Sequence, residues 1–364
     1  SLDPDAGYQT KLYKTLMKLY KTSMNLKKNH ILRGLWAALA LIPAAGITSS
    51  CGMINEDLPE CNQGARLRFI YDYNMEYANA FPSQVDCLTL LVYDNEGNFV
   101  ASRTASAPEI SAEDYRMTID LPAGEYTFVA YGGMDCQESS FHFTDASTKA
   151  DIPSKLENLE VQMNASSITA PEGKPLHKLF YGRLNLAIEE DALNYTDATV
   201  EMMRDTNEVR IILQQVNGEP VEDKDFVYTI EADNTLFNYK NDLVPAGSTT
   251  FYPYDRGEIN VGLNQQGDES TVAFAQFGLS RFIENDKTTL TIKTAKEGRT
   301  VMSIPLTRYL LAFRNQYQEQ MRPQEYLDRE NTWNMIFFLD SDNRWVQVSI
   351  IINDYVVRIN DIEF

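Results

Sequence analysis

Histidine is scarce, with three in 364 residues. His142 and His177, the two outside the N-terminal stretch, stand 35 positions apart. A Ser/His/Asp triad or an imidazole-based metal site therefore fails on supply. Cysteine is nearly as rare: Cys51, Cys61, Cys87 and Cys136 include no CxxC pair, which removes dithiol redox and zinc-knuckle readings. There is no glycine-rich phosphate loop and no GxSxG nucleophile elbow. Positive charge is also short: 32 Lys/Arg against 52 Asp/Glu give a net charge of -20. The deficit is uneven, because residues 1–50 hold seven basic and two acidic residues. The remainder then carries 32−7=25 basic and 52−2=50 acidic residues, about -25. A surface this acidic repels nucleic acid and anionic headgroups.

Long apolar runs are missing as well. The longest, Gly34–Ile47, has 14 residues, with Pro43 and Gly46 near its end. A spanning helix needs about 20 apolar residues and a secretory h-region about 7–15. Lys27, Lys28 and Arg33 precede the run, and Thr48-Ser49-Ser50-Cys51-Gly52 closes it with small residues. The pattern is that of an export signal ending at a lipoprotein box, with Cys51 as the acylated new N-terminus and Thr48 where Leu is usual. Residues 1–50 are then leader and signal peptide, and 51–64 a lipidated tether.

What remains reads as strands. Leu67, Phe69, Tyr71 and Tyr73 alternate with Arg66, Arg68, Ile70 and Asp72, the period-2 pattern of a half-buried strand. Leu88–Asp94 is almost wholly apolar, and Asn95-Glu96-Gly97-Asn98 turns it back into Phe99-Val100. Tyr115 to Leu121 alternates again, and "LPAGEYTFVAYGG" feeds a Pro-Ala-Gly turn into Tyr126–Tyr131. With Ser140–Phe143 and Leu159–Met163 these make one antiparallel sandwich over 65–163. The polar stretch 164–174, "NASSITAPEGK", reads as a linker. A second strand set fills 175–364, from Lys178–Ile188 and Ala198–Met203 through Trp333–Leu339 and Trp345–Ile352 to Tyr355–Ile359. "LVPAGSTTFYPY" echoes the earlier turn and hints at a repeated module. One helix is expected over Arg308–Glu330, its apolar face formed by Leu310, Leu311, Phe313, Tyr317 and Met321, with Pro323 breaking it before Tyr326-Leu327.

Chemistry-bearing groups give little. Fifty carboxylates make chance pairs unavoidable, so they do not indicate a glycosidase. "DSDNR" (Asp340–Arg344) lacks the glycine and terminal glutamate of a calcium loop and reads as a hairpin turn. Export permits a disulfide. Cys87 opens one strand and Cys136 follows the end of another, so antiparallel pairing would bring them within bridging distance. Cys87–Cys136 is the expected pair, with Cys61 bonded to one of the two as the alternative. Exposed aromatics could form a sugar- or partner-binding patch.

The segments "CNQGARLRFIYDYNMEYANAFPSQVDCLTLLVYDNEGNFV", "LPAGEYTFVAYGG", "HKLFYGRL", "QEYLDRENTWNMIFFLD" and "RWVQVSIIINDYVVRIND" together resemble the FimB-type fimbrial anchor lipoproteins of Bacteroidota. That resemblance implies an all-β chain of two tandem transthyretin-like, Greek-key sandwiches with one helical insertion near the C-terminus. It also implies a lipid anchor at Cys51 in the outer membrane, exposed on the cell surface, and a non-enzymatic role at the base of a fimbrium. Glu56 and Asp57 match the acids that follow the lipidated cysteine in such proteins. The expected partner is a shaft pilin joined by β-strand addition, through the segment Ile54–Arg66 or the terminal strand with Tyr355, Val356, Val357 and Ile359. No cofactor, metal, nucleic acid or small-molecule substrate is implied. The rival expectation is a surface lipoprotein that binds glycan or host protein through exposed aromatics.

Overall fold

A computed structural model describes residues 63–134, 139–144, 152–169, 172–190, 194–264, 266–312, 314–315, 317–353 and 355–358. The leader, Cys51, Cys61, Cys136 and Ile359 lie outside the described residues. Among the described residues no helix is long and apolar enough to cross a membrane.

The chain is all-β, with two sandwich modules in tandem. The first contains β1 (Gly64–Ile70), β2 (Cys87–Asp94), β3 (Phe99–Ser106), β4 (Met117–Asp120), β5 (Gly124–Gly132), β8 (Phe180–Ile188) and β9 (Thr196–Arg204) in the order β3-β2-β5-β8-β9-β1-β4. This sheet folds over on itself. One leaf is β3-β2-β5-β8 and the other β9-β1-β4, and they meet where β8 and β9 pair only over Phe180–Gly182. The corner needs Gly182, since a Cβ there would sit 2.7 Å from Val200 Cγ1 and 2.8 Å from the Glu201 carbonyl oxygen. Leu88, Leu90, Val92 and Phe128 from one leaf pack between the leaves against Leu67, Phe69, Met117 and Val200 from the other.

The second module contains β10 (Thr206–Gln215), β11 (Phe226–Ala232), β13 (Thr249–Phe251), β14 (Asp255–Leu263), β15 (Glu269–Ser280), β16 (Thr289–Thr294), β17 (Thr300–Pro305), β18 (Thr332–Leu339), β19 (Trp345–Ile352) and β20 (Tyr355–Arg358). Its leaves are β14-β15-β10-β18-β19-β20 and β13-β11-β16-β17. Between the modules lies a small sheet of β12 (Leu236–Phe237), β7 (Val161–Met163) and β6 (Phe141–Phe143). Phe141, Val161, Met163 and Phe237 join Leu91, Tyr93, Val129 and Tyr131 on the outer face of the first module to the core of the second. The central strand β2 is therefore covered on both faces, which accounts for its continuous apolar run.

The expected division at 164–174 is not where the sheets separate. β8 and β9, both beyond that stretch, complete the first module by pairing with β5 and β1. The polar composition of 164–174 marks a surface excursion carrying a one-turn helix, α2 (Ala165–Ile168), after the earlier one-turn α1 (Phe81–Gln84). The modules join at the one residue between β9 and β10, Asp205.

The expected long helix is also corrected. It is broken into α3 (Leu306–Ala312), a 3₁₀ turn over Gln318–Gln320 and α4 (Pro323–Arg329). Asn315 interrupts it: its Oδ1 accepts the backbone N–H groups of Tyr317 and Gln318, each at 2.9 Å, a local alternative to helical bonding. Pro323 starts α4 at the first-turn position where its missing N–H costs nothing. Leu310 is buried as expected, but Tyr317 is 81% exposed.

The two modules repeat one pairing scheme. In the first, β1 pairs antiparallel with β4 and parallel with β9. In the second, β10 pairs antiparallel with β15 and parallel with β18. The facing leaves β3-β2-β5-β8 and β13-β11-β16-β17 correspond strand for strand. The Pro-Ala-Gly echo does not mark this repeat, because it leads into β5 in one module and β13 in the other, which are not equivalent. Beyond the repeat, the second module adds β14 at one edge and the β19–β20 hairpin at the other.

Candidate assembly interface

Of the residues expected to form a partner strand, Tyr355, Val356 and Val357 lie in β20. Its register sets Ile352 opposite Tyr355, Ile351 opposite Val356 and Ile350 opposite Val357. β20 is the last strand of its leaf, so one of its backbone edges is unpaired within the sheet. A strand with a single neighbour can be extended by a strand from another chain, the geometry of β-augmentation.

At the other end, β1 begins 13 residues after Cys51. Gly64 holds this start in place: its φ is +149°, and a Cβ would lie 2.1 Å from the Ile119 carbonyl oxygen. On the first module, Cys87 is disulfide-bonded. Its Sγ lies 2.9 Å from the Met134 carbonyl oxygen, two residues before Cys136 in the chain.

Between the two ends is a buried polar joint that the sequence did not announce. Asp205 is fully buried; its N–H donates to the Leu179 carbonyl at 2.8 Å and its Oδ1 accepts from Asn241 Nδ2 at 2.7 Å. Burial pushes its carboxyl up to about 7, against the pull of the Arg281 guanidinium and the Asn241 bond. Arg281 is held by Asp328 through Nε at 2.7 Å and Nη2 at 2.8 Å, and donates to the Asn241 carbonyl at 3.0 Å. The Trp333 indole donates to Asn207 Oδ1 at 3.0 Å. Across the joint, the Tyr71 hydroxyl donates to Asn331 Oδ1 at 2.7 Å, and burial pushes that phenol up to about 12. Arg329 of the second module stacks on the Tyr73 and Tyr77 rings of the first at 4.1 and 4.4 Å and donates to the Asn74 carbonyl at 3.2 Å. Bidentate, stacked and buried contacts of this kind fix an angle between two bodies. The only forewarning was polar residues within strand patterns, such as Asn207 in β10.

The remaining candidates do not converge. His142 Nδ1 lies 2.6 Å from Asn164 Oδ1, and His177 Nε2 lies 3.2 Å from Asp86 Oδ1. Asp340 closes its hairpin by accepting the N–H groups of Asp342 and Arg344, each at 2.9 Å; the turn reading therefore holds over a calcium loop. Among the described residues no three His, Cys, Asp or Glu side chains are grouped to hold a metal. Trp333 is fully buried and Trp345 packs on Tyr309 and Phe337, so neither lines a surface cleft. The exposed aromatics Tyr77, Tyr252 and Tyr317 sit on three separate segments.

Comparison with known proteins fits this architecture. The structure resembles that of a candidate adhesin from Bacteroides thetaiotaomicron, with 44% identity and a TM-score of 0.78 over 84% of this chain and 100% of that one. A candidate polysaccharide-binding protein from the same species shares 28% identity with a TM-score of 0.69, over 82% and 98% of the two chains. The fimbrial anchor protein Mfa2 from Porphyromonas gingivalis has the same fold at 17% identity, with a TM-score of 0.59 over 81% and 98%. No curated protein matches significantly. The profile of the fimbrillin-A associated anchor proteins Mfa1 and Mfa2 matches residues 58–361, and the chain belongs to that family.

Proposed function

We propose that this chain is an outer-membrane lipoprotein, held by acyl chains on Cys51, that anchors a fimbrium at its base and joins the first shaft subunit by β-strand addition at β20. The role is structural and non-enzymatic. The observation that carries the reading is the place of β20: an edge strand, outside the repeated module, at the opposite end of the chain from the tether. Two or more acyl chains give a stable anchor at about 0.8 kcal/mol per buried CH₂. A partner strand burying four or five apolar side chains, at roughly 1.5–3 kcal/mol each, makes a joint that seldom reopens. The single-residue connection at Asp205 and the Arg329 stack suit a subunit that transmits pull between fibre and membrane. We also assign Cys136 as the partner of Cys87, from the approach of Met134 to the Cys87 sulfur.

Two changes test the reading. Cys51→Ala should release the protein from the membrane fraction and shed fimbriae into the medium. Deleting Tyr355–Phe364 should leave a lipidated, membrane-bound protein that no longer retains fimbriae. Retention of Cys51→Ala in the membrane would defeat the lipid anchor, and normal fimbriation after the deletion would defeat the strand joint.

A further inference from the structure

A cavity of about 610 Å³ opens on the first module beside the start of β2 and the start of β8. No residue of β20 is among its lining. Four polar groups line it without a hydrogen bond or ion pair to any described residue: the Lys178 ammonium, the Ser166 and Ser167 hydroxyls and the Gln84 Oε1, which is itself buried. Pro175 and Leu176 add an apolar wall, and Asp86 in the rim is engaged by the His177 ring at 3.2 Å.

Lys178 is half-buried and has no direct hydrogen bond or ion pair with a described residue; the Glu208 and Asp86 carboxylates act on it only at longer range, which leaves its ammonium open to an anion within the cavity. The buried Gln84 Oε1 lacks a donor, and with the Ser166 and Ser167 hydroxyls in the same lining it suits a ligand that both donates and accepts hydrogen bonds. The volume lies within the roughly 300–1,000 Å³ that small-molecule sites occupy. We propose that this cavity binds an acidic sugar, with the carboxylate on Lys178, ring hydroxyls on Ser166, Ser167 and Gln84, and the apolar ring face on Pro175 and Leu176. Burial, with the nearby Arg204 guanidinium, lowers the proton affinity of Lys178, and the Glu208 and Asp86 carboxylates offset this only in part. A small-molecule ligand departs from the sequence expectation that none is involved, and the cavity makes no use of the exposed aromatics.

The test is titration of the mature chain with glucuronate, glucose and inorganic phosphate separately, followed by heteronuclear NMR. Glucuronate should give saturable shifts on Ser166, Ser167 and Lys178, with glucose and phosphate each at least about tenfold weaker. Lys178→Met should weaken glucuronate by about tenfold or more while leaving the thermal midpoint and near-UV circular dichroism unchanged. If that variant misfolds, Ser167→Val should weaken it by about threefold. Glucose binding as tightly as glucuronate would remove the role given to Lys178. Phosphate binding equally well would reduce the site to a plain anion cradle and overturn the sugar assignment, and absence of saturable shifts with all three would overturn the site.

Discussion

Asp205 offers a measurement that isolates the joint between the modules. Its carboxyl goes from 3.8 in the unfolded chain to about 7 in the fold, so between those values the folded state holds a proton that the unfolded state has released. Stability from this group is then complete below about pH 4 and is lost as pH rises through about 7. Three units at about 1.36 kcal/mol each put the loss at about 4 kcal/mol as an upper figure. The facing charges are Arg281, which favours ionisation, and Asp328, which opposes it. Asp205→Asn keeps the Asn241 contact but cannot ionise. Urea unfolding at pH 5 and pH 8 should show the variant's advantage over wild type growing by about 2–3 kcal/mol from the lower to the higher pH, because at pH 5 the unfolded Asp205 is already ionised and part of the loss is in place. At the higher pH the variant should be more stable by a few kcal/mol. Other titrating groups are common to both proteins and cancel in the difference. A variant offset that is the same at both pH values would show that Asp205 is already ionised in the fold, paired with Arg281, and the reasoning would fail.

Other perturbations read separate parts of the molecule. Cys87→Ser opens a loop of 136−87=49 residues if Cys136 is its partner, and should cost about 4 kcal/mol in chemical denaturation; an unchanged midpoint under oxidising conditions would place the bridge elsewhere. Gly182→Ala, forced against Val200 and the Glu201 carbonyl, should destabilise the first module by about 1–3 kcal/mol, seen in thermal melts. Trp333→Ala empties a site ringed by Tyr326 and Phe282 and should cost about 3–5 kcal/mol. Tyr317→Ser, on a largely exposed residue, should change stability by less than about 0.5 kcal/mol, and a larger loss would mean the ring packs against something.

Strand identity was legible where periodicity had length to act on. Leu67, Phe69 and Tyr71 are buried as their alternation requires, and the apolar run of β2 is covered on both faces. Short pieces were not legible: Leu236–Phe237 and Thr249–Phe251 are strands of two and three residues and carry no period. Partner choice was hidden too. Nothing in Phe180–Ile188 or Thr196–Arg204 distinguishes a strand that opens a second module from one that closes the first, because both expose one face and bury the other. A polar stretch such as 164–174 signals solvent, and solvent lies around an excursion within a module as well as between modules. The helix failed for a related reason, since apolar spacing at Leu310, Phe313, Tyr317 and Met321 says nothing about Asn315 capturing two backbone N–H groups. Of the interface, the terminal strand was visible as a run of β-branched residues and the Asp205 joint was not, because a single buried acid has no pattern.

The repeat gives the terminal hairpin its meaning. Removing β19 and β20 in thought leaves the pairing scheme of the second module equal to that of the first, with β18 as the counterpart of β9. In the first module β9 is protected by turning the corner into β8, whereas β18 would be left as a bare edge carrying Ile336 and Phe338 on its face away from the main core. An edge of that kind invites pairing with other chains, and β19 covers it. The cover moves the open edge outward to β20, held by four residue pairs to a single neighbour. Each strand between β14 and β20 has two neighbours, so this leaf can be extended only at its two edges, and β20, with four pairs against eight for β14, is the more weakly held. The edge of this leaf held by the fewest pairs thus lies outside the repeated pairing scheme, while the buried Asp205 joint lies between the modules.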